Sequence, residues 1–372
     1  MEMKRRDFIR ITGTLILASS MPAVYGFGDL TRKDIREDDY DRVAKLISRE
    51  EFDILNMASL APSGHNTQPW KIRIMEPGKW MLCSARQRWL PGVDPANREL
   101  MLSMGAFLRN LEIAAGARGY SVNTDILSID PKDNSIAEIS LKKGKSVPFD
   151  IEKLTSRRTV RKDLLTLPIS AADYSFITGG NKDDFIYIPK GTKEASYLQT
   201  ATIEANRIQA GRVPAWEELS NWIRWSNSDA RKFRNGLTPA SMDIKGAAGW
   251  FVRNFYNRKS VLTDDFKKKS IDMVTRQVSN YGGWIIITSQ KSDIAPLISA
   301  GSKFQDMFLN VREKMIAVHP MTQILEEVPF KDNVNNELGI EKKIQFILRT
   351  GYIKKYPQPV SLRMPVSWFV SS

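Results

Sequence analysis

The hydrophobic positions of this chain repeat with two periods, and the places where the period changes outline its elements. Ser48-Arg49-Glu50-Glu51 has the form of a capping box, in which Ser48 accepts from the third backbone N–H and Glu51 reaches back. Phe52, Leu55 and Ser59 then share one helical face, which predicts a helix to about Leu60 that stops at Pro62. Trp70-Lys71-Ile72-Arg73-Ile74 alternates apolar with basic residues, as a half-buried strand does, and 137–142 alternates in the same way. Residues 79–84 also read as a strand. Asp94-Pro95 opens a long helix with Leu100, Met104, Leu108 and Leu111 at helical spacing. A second sheet-and-helix set begins near 151, with a strand at 185–188 and a helix over 193–209. A buried strand at 284–288 and helices over 295–328 complete it.

Two stretches break this pattern. Residues 29–47 are strongly charged and read as a linker or a first helix. Residues 211–270 hold Trp216, Trp222, Trp225 and Trp250 together with Arg224, Arg231, Arg234 and Arg253. Such an insertion is either a subdomain packed on the core or a lid that keeps water from a planar ligand. No short-period repeat and no low-complexity tract is present.

Composition narrows the chemistry. The chain has 372 residues, enough for two domains or one domain with a large insertion. Lys and Arg number 55 against 42 Asp and Glu, so the net charge of +13 suits an anionic ligand. No basic run interleaved with aromatics reads as a nucleic-acid arm. With a single cysteine, Cys83, the chain has no intramolecular disulfide and no thiolate metal cage. His65 and His319 are the only histidines and have no metal-ligand spacing; no GxSxG elbow is present.

The first 28 residues read as an address. Lys4-Arg5-Arg6-Asp7-Phe8-Ile9-Arg10 precedes an uncharged stretch that ends in small residues near Val24-Tyr25-Gly26. A basic region, an apolar stretch and small residues describe an export signal, and Arg5-Arg6 resembles the twin-arginine type. That route carries proteins already folded around a cofactor. It implies a periplasmic location, or outward-facing membrane attachment if the leader is kept.

Between the predicted helix and strand lies Ala61-Pro62-Ser63-Gly64-His65-Asn66-Thr67-Gln68-Pro69-Trp70. Gly64 permits close backbone approach, and Ser63, Asn66 and Gln68 offer donors and acceptors that match a flavin's pyrimidine edge and ribityl hydroxyls. The same side chains could instead bond their own backbone. The run resembles the APS-x-HN-x-QPW loop of nitroreductase-like proteins, in particular their Acg-like branch. Asp94-Pro95-Ala96-Asn97-Arg98-Glu99-Leu100, running on to Leu111, resembles the long helix of that branch, which packs at the centre of a two-fold pair. Leu154-Thr155-Ser156-Arg157-Arg158-Thr159-Val160-Arg161 is similar to its RRSxR element, which holds the FMN phosphate. Guanidiniums suit a phosphate because they make bidentate charge-assisted bonds. Arg349-Thr350-Gly351-Tyr352 with 359–365 is similar to the C-terminal RxGY…PRRP segment. Here Ser361 and Leu362 replace its proline and first arginine, so Arg363 and Ser361 carry over. His319-Pro320-Met321-Thr322-Gln323 resembles the stretch beside the isoalloxazine, where His319 either contacts the ring or is a core histidine.

The resemblance implies an α+β fold: a mixed, mainly antiparallel sheet flanked by helices. It would comprise two nitroreductase-like halves over 29–150 and 151–372, fused as an intramolecular pseudo-dimer. It implies FMN bound by Pro62, Ser63, Gly64, His65, Asn66, Gln68, Arg157, Arg158, Thr159, Arg161, His319, Ser361 and Arg363, with no dedicated catalytic acid or base and no metal. The loop motif occurs only in the first half and the arginine motifs only in the second, so a monomer would carry one complete site. The implied activity passes hydride from NAD(P)H or another donor, through the flavin, to a small acceptor such as a nitroaromatic or quinone. A flavin-sequestering protein without turnover is the rival; a membrane-attached partner protein with an empty site is a third reading.

Overall fold

Ser48 caps its helix as the pattern predicts. In the computed structural model, which describes residues 30–35, 37–244 and 246–372, its hydroxyl accepts from Glu51 N and its own N–H donates to the Glu51 carboxylate at 2.7 Å. The leader at 1–28 lies outside the described residues. Among those described, no helix is long and apolar enough to cross a membrane.

The capped helix α1 (Arg49–Ala58) leads into strands β1 (Trp70–Glu76) and β2 (Lys79–Ser84), then helix α2 (Arg98–Ala117) and strands β3 (Tyr120–Ile126) and β4 (Ser135–Lys143). The second half repeats that succession. Helix α3 (Ala171–Thr178) and strand β5 (Phe185–Pro189) precede an excursion containing helices α4 (Lys193–Gly211) and α5 (Asp264–Ser279). Strand β6 (Gly283–Ser289), helix α6 (Ile294–Asn310) and strands β7 (Ile316–Pro320) and β8 (Lys343–Tyr352) follow. The sheets have the same order, β3-β4-β2-β1 in the first and β7-β8-β6-β5 in the second. A terminal strand β9 (Val370–Ser371) adds in parallel to the open edge of β1, so the end of the chain returns to the first half. Trp80 and Trp284 occupy the second position of β2 and β6, and both are fully buried.

Helices α2 and α6 cross at the centre of the molecule through a reciprocal contact. A methyl added at Gly105 would lie 1.9 Å from the carbonyl oxygen of Ile298, and one at Gly301 would lie 2.0 Å from that of Leu102. Each glycine thus packs on the carbonyl three residues before the other, the self-complementary pattern of a two-fold interface. Gln305 of α6 donates to Asn110 of α2 at 2.7 Å within this buried layer. A single apolar core runs through both sides of the crossing.

The structure departs from the expected fold in four places. There are two sheets where one was expected, and β1–β9 is the parallel pairing in them. Strand β7 lies in a stretch read as helical, because Ile316-Ala317-Val318 is continuously apolar and has no alternation to reveal a strand. Helix α2 begins at Arg98 and not at Asp94: Asn97 is left-handed (φ 53°), and the Asp94 carboxylate caps the new start by accepting from Leu100 N at 3.0 Å. The inserted segment is longer than 211–270, since everything from 190 to 282 lies between β5 and β6. The first half has only the turn Pro77-Gly78 at the corresponding place.

Candidate functional site

A cavity of about 370 Å³ opens where the two halves and the insertion meet, a volume in the range of small-molecule sites. The 61–70 loop supplies Pro62, Ser63, Gly64 and His65 to its wall, and α2 supplies Glu99, Leu102, Ser103 and Ala106. Thr159, Arg161, Phe304, Phe308 and the 319–323 stretch come from the second half. The insertion closes the remaining side with Leu219, Leu237, Met242, Met273, Val274 and Gln277. Its wall has no aromatic residue. Trp216 and Trp225 pack edge-on against Phe266 in the insertion's own core.

The loop is held in an unusual backbone conformation. His65, Asn66 and Gln68 all have positive φ, at 46°, 56° and 55°. Each such non-glycine residue costs of order 1–3 kcal/mol and persists where surrounding bonds over-determine it. Those bonds are visible. Ser63 Oγ accepts from Gln68 N at 3.0 Å, closing the loop on itself. Asn66 donates to the carbonyls of Gly236 and Leu362, both at 3.1 Å, and accepts from Arg363 at 2.8 Å. Gln68 donates to Arg234 O and accepts from Met364 N. Asn66 and Gln68 therefore anchor the loop to the insertion and to the C-terminal tail, and do not line the cavity, while His65 does.

The arginines divide in the same way. Arg161 and Thr159 line the cavity. Arg157 lies behind the wall, stacked 4.7 Å from the Phe308 ring and donating to Leu60 O. Arg363 donates to Leu60 O and Ala61 O, each at 3.0 Å. Arg158 is buried in an ion pair with Asp243 of the insertion. The same carboxylate accepts from Arg161 N at 3.0 Å, and the Arg161 guanidinium donates to Ser241 O at 2.6 Å. Ser361 is half-buried in the tail, away from the cavity wall.

The electrostatics of this cluster point to an anion. Among the described residues, the side chains of Arg157, Arg161, Arg349 and Arg363 make no ion pair, and the Nε–H groups of Arg157, Arg158, Arg349 and Arg363 are buried without acceptors. Burial and then the charges on Arg157 and Arg32 depress the Arg363 pKa, while burial and then Arg32 depress that of Arg157. Buried charge without a partner costs several kcal/mol, so this region is favourable for a bound dianion. A phosphate carrying a planar group, as in FMN, fits the chemistry of the residues present: Arg161 and Thr159 in the wall with Arg157 behind it, and Phe304, Phe308 and His65 also lining the cavity.

His319 is 7% exposed and sits with its Nδ1 3.2 Å from an Arg349 nitrogen. Arginine only donates, so Nδ1 accepts and the ring proton resides on Nε2. Burial, Arg349 and Arg161 hold its pKa well below the ordinary histidine range, so it is a neutral donor at pH 7. Burial also lowers the pKa of His65. Sequence reasoning missed Glu99, Asn206, Gln209 and Glu326, which line the same cavity. Asn206 and Gln209 on α4 and Glu326 in a turn belong to no motif, Glu99 stands in a segment read only as helix packing, and only the fold brings the four to one cavity.

No family model matches the chain. Part of it is 31% identical, over 128 residues, to "Putative NAD(P)H nitroreductase Rv3131" of Mycobacterium tuberculosis. That match covers 33% of this chain and 37% of the relative, so the chain spans little more than a third of that protein's length. "Probable NAD(P)H nitroreductase PigM" of a Serratia species is 21% identical over 322 residues, covering 83% of this chain and 90% of the relative. The chain is related to proteins named as nitroreductases. Solved structures superpose only loosely. A nitroreductase-like family protein from Bacillus cereus gives a TM-score of 0.32 at 11% identity, over 62% of this chain and 98% of the other. The FMN-dependent nitroreductase NfnB from Mycobacterium smegmatis, solved with NADPH, gives 0.34 at 14% identity, over 56% and 92%.

Proposed function

We propose that this chain is an FMN-dependent oxidoreductase of nitroreductase type, using NAD(P)H or another donor and a small electron-poor acceptor. The observation that carries the reading is the cavity of about 370 Å³ beside a cluster of arginines lacking anionic partners. The names of the relatives, NAD(P)H nitroreductases, support the donor. Bound there, FMN would supply two-electron redox chemistry between donor and acceptor.

The chain's own residues then have separable tasks. Arg161 and Thr159, which line the cavity, would hold the phosphate, and Arg157 and Arg363 would add positive charge from behind the wall. His319, fixed by Arg349, presents an N–H to the ring or to its neighbour. Phe304, Phe308 and the insertion's aliphatic side chains exclude water. No side chain is required to act as a nucleophile.

The reading extends to assembly and location. The repeated strand order and the reciprocal α2–α6 crossing support two fused halves acting as an intramolecular pseudo-dimer with one composite site. The motifs at 61–70 and 94–111 favour the Acg-like branch, and the leader favours twin-arginine export to the periplasm or an outward-facing membrane anchorage.

Flavin sequestration without turnover is the second reading, and one observation favours it. The insertion is tied down at its base, residues 234–243, by Asn66, Gln68, Arg158 and Arg161. Anaerobic addition of NADPH to the purified chain separates the readings. Yellow protein that bleaches supports the oxidoreductase; yellow protein that stays oxidised with NADPH and with dithionite-coupled donors supports sequestration. Colourless protein that cannot be loaded with FMN refutes both.

A further inference from the structure

The cavity wall carries both signs of charge. His65, Arg161 and His319 line it, with Arg349 behind His319, and so do Glu99 and Glu326. Glu326 is gripped from two sides: Gln209 donates to one oxygen at 2.6 Å and Thr322 to the other at 3.0 Å. The nearby cations bond to other carboxylates: Arg212 pairs with Glu327, and Arg98 donates to Gln345 O at 2.7 Å and to Glu99 at 3.3 Å, so among the described residues Glu326 is the lining carboxylate with no ion pair. One helical turn before Gln209, on the same face of α4, stands Asn206. It is 8% exposed, lines the cavity, and its Oδ1 is buried without a hydrogen-bond partner. Gln323 Oε1 is likewise buried and unpartnered in the same wall.

An orphaned buried acceptor on the same wall as a carboxylate without an ion pair asks for a donor that the protein does not supply. We propose that the Glu99–Glu326–Asn206 end of the cavity is a subsite for a protonated, N–H-bearing group, such as an ammonium or amidinium carried by the electron acceptor. The inference deepens the oxidoreductase reading and rests on it for the role of the ligand as acceptor. Charge selects at this end: a cation meets Glu99 and Glu326, and its N–H groups satisfy Asn206. An anionic acceptor there would face both carboxylates. Burial and Glu99 push the Glu326 carboxyl well above its ordinary range, a penalty that a bound cation relieves.

The test uses the purified, FMN-loaded chain without a donor, so that binding is read apart from turnover. Calorimetric titration compares para-nitrobenzylamine, an ammonium at pH 7, with the near-isosteric para-nitrobenzyl alcohol. The amine should bind about tenfold or more tightly, the value of one or two charge-assisted hydrogen bonds. Glu326→Gln should remove most of that preference while leaving the alcohol's affinity in place, and Asn206→Leu should weaken the amine in the same direction. Equal affinity for the two probes overturns the proposal, as does a preference that survives in both Glu326→Gln and Glu99→Gln. A chain that takes up no FMN sinks the flavin reading alone, because the two probes still compare charge selectivity in the flavin-free cavity.

Discussion

Substituting Gly105 by alanine tests the crossing on which the site depends. In an isolated helix the change stabilises by about 1 kcal/mol, because glycine is the poorer helix former. Here the new methyl would sit 1.9 Å from a backbone carbonyl of α6, well inside contact distance, and a backbone group cannot rotate away as a side-chain end can. The helices must separate, and overpacking of this kind costs about 1–3 kcal/mol, occasionally more. Backbone against backbone belongs at the upper end, leaving a net loss of about 2 kcal/mol. Gly301→Ala should cost about the same by the reciprocal argument, since its methyl would meet Leu102 O at 2.0 Å. Once one methyl has opened the crossing, the second has less to displace. The double variant should therefore fall short of the sum by about 0.5 kcal/mol or more, the coupling typical of residues in contact. Urea unfolding followed by tryptophan fluorescence, read as a midpoint shift at constant slope, gives each value. FMN affinity should weaken with stability, because Leu102, Ser103 and Ala106 of α2 and Phe304 and Phe308 of α6 all line the cavity. A Gly105→Ala chain as stable as the parent would refute the close crossing, and strict additivity would refute its reciprocity.

Arg157→Ala with Arg161→Ala should strip most of the FMN from the purified protein, measured as flavin absorbance per chain; unchanged flavin content would show that the anion is held elsewhere. Asp243→Ala leaves Arg158 buried without its partner and should cost about 3–5 kcal/mol in the unfolding midpoint, the usual penalty for half of a buried pair; a loss under about 1 kcal/mol would mean that the pair is solvated. The histidines set an acid-side dependence. Both have folded pKa values below the unfolded value of about 6.5, so the unfolded chain binds the extra protons and their contribution is complete above that pH and lost as pH falls below it. His319→Gln should make the decline between pH 7.5 and 5.5 shallower than in the parent, and an unchanged slope would count against a buried neutral His319.

Much of the first half was legible because its signals are local. A capping box, an alternating strand and a helical stripe each announce themselves within a few residues, and the structure places α1, β1 and α2 where those patterns lie, to within a turn. The strands β7 and β8 are buried on both faces and lack alternation; β6 shares that burial, and its β-branched run Ile285-Ile286-Ile287 is what made it readable. One long-range signal was present but faint: Leu102-Ser103-Met104-Gly105 and Ile298-Ser299-Ala300-Gly301 share an apolar-Ser-x-Gly pattern at the two sides of the crossing. For the site, the sequence pointed to the right segments and not always to the right side chains. The 61–70 loop does reach the cavity, but through Pro62–His65, whereas Asn66 and Gln68 brace its backbone. That division follows from the positive φ values, which a sequence does not display. Glu326 and Asn206 gain their meaning from Gln209 and from each other's place in the fold.

The insertion explains why two similar halves yield a lopsided molecule. Where β1 turns into β2 through Pro77-Gly78, the chain between β5 and β6 leaves the sheet and returns only after α5. That excursion reaches across the crossing and bonds to the first half's loop, with Gly236 N donating to Asn66 O at 3.0 Å. On the opposite side, the segment between α3 and β5 occupies the place of the 61–70 loop but spends its carboxylate on ion pairs, with Asp184 held by Lys303 at 2.7 Å and Lys342 at 3.4 Å. A duplicated frame thus carries different loops at equivalent positions: one side is tied by charge, and the other is strained, braced by the insertion and open to a cavity. Strain of that kind is kept only where something else in the molecule requires the loop's shape. The bracing bonds from Asn66, Gln68 and Arg363 all converge on holding His65 and Ser63 at the cavity wall, which makes that wall, and not the loop's own stability, the feature the local sequence is built around.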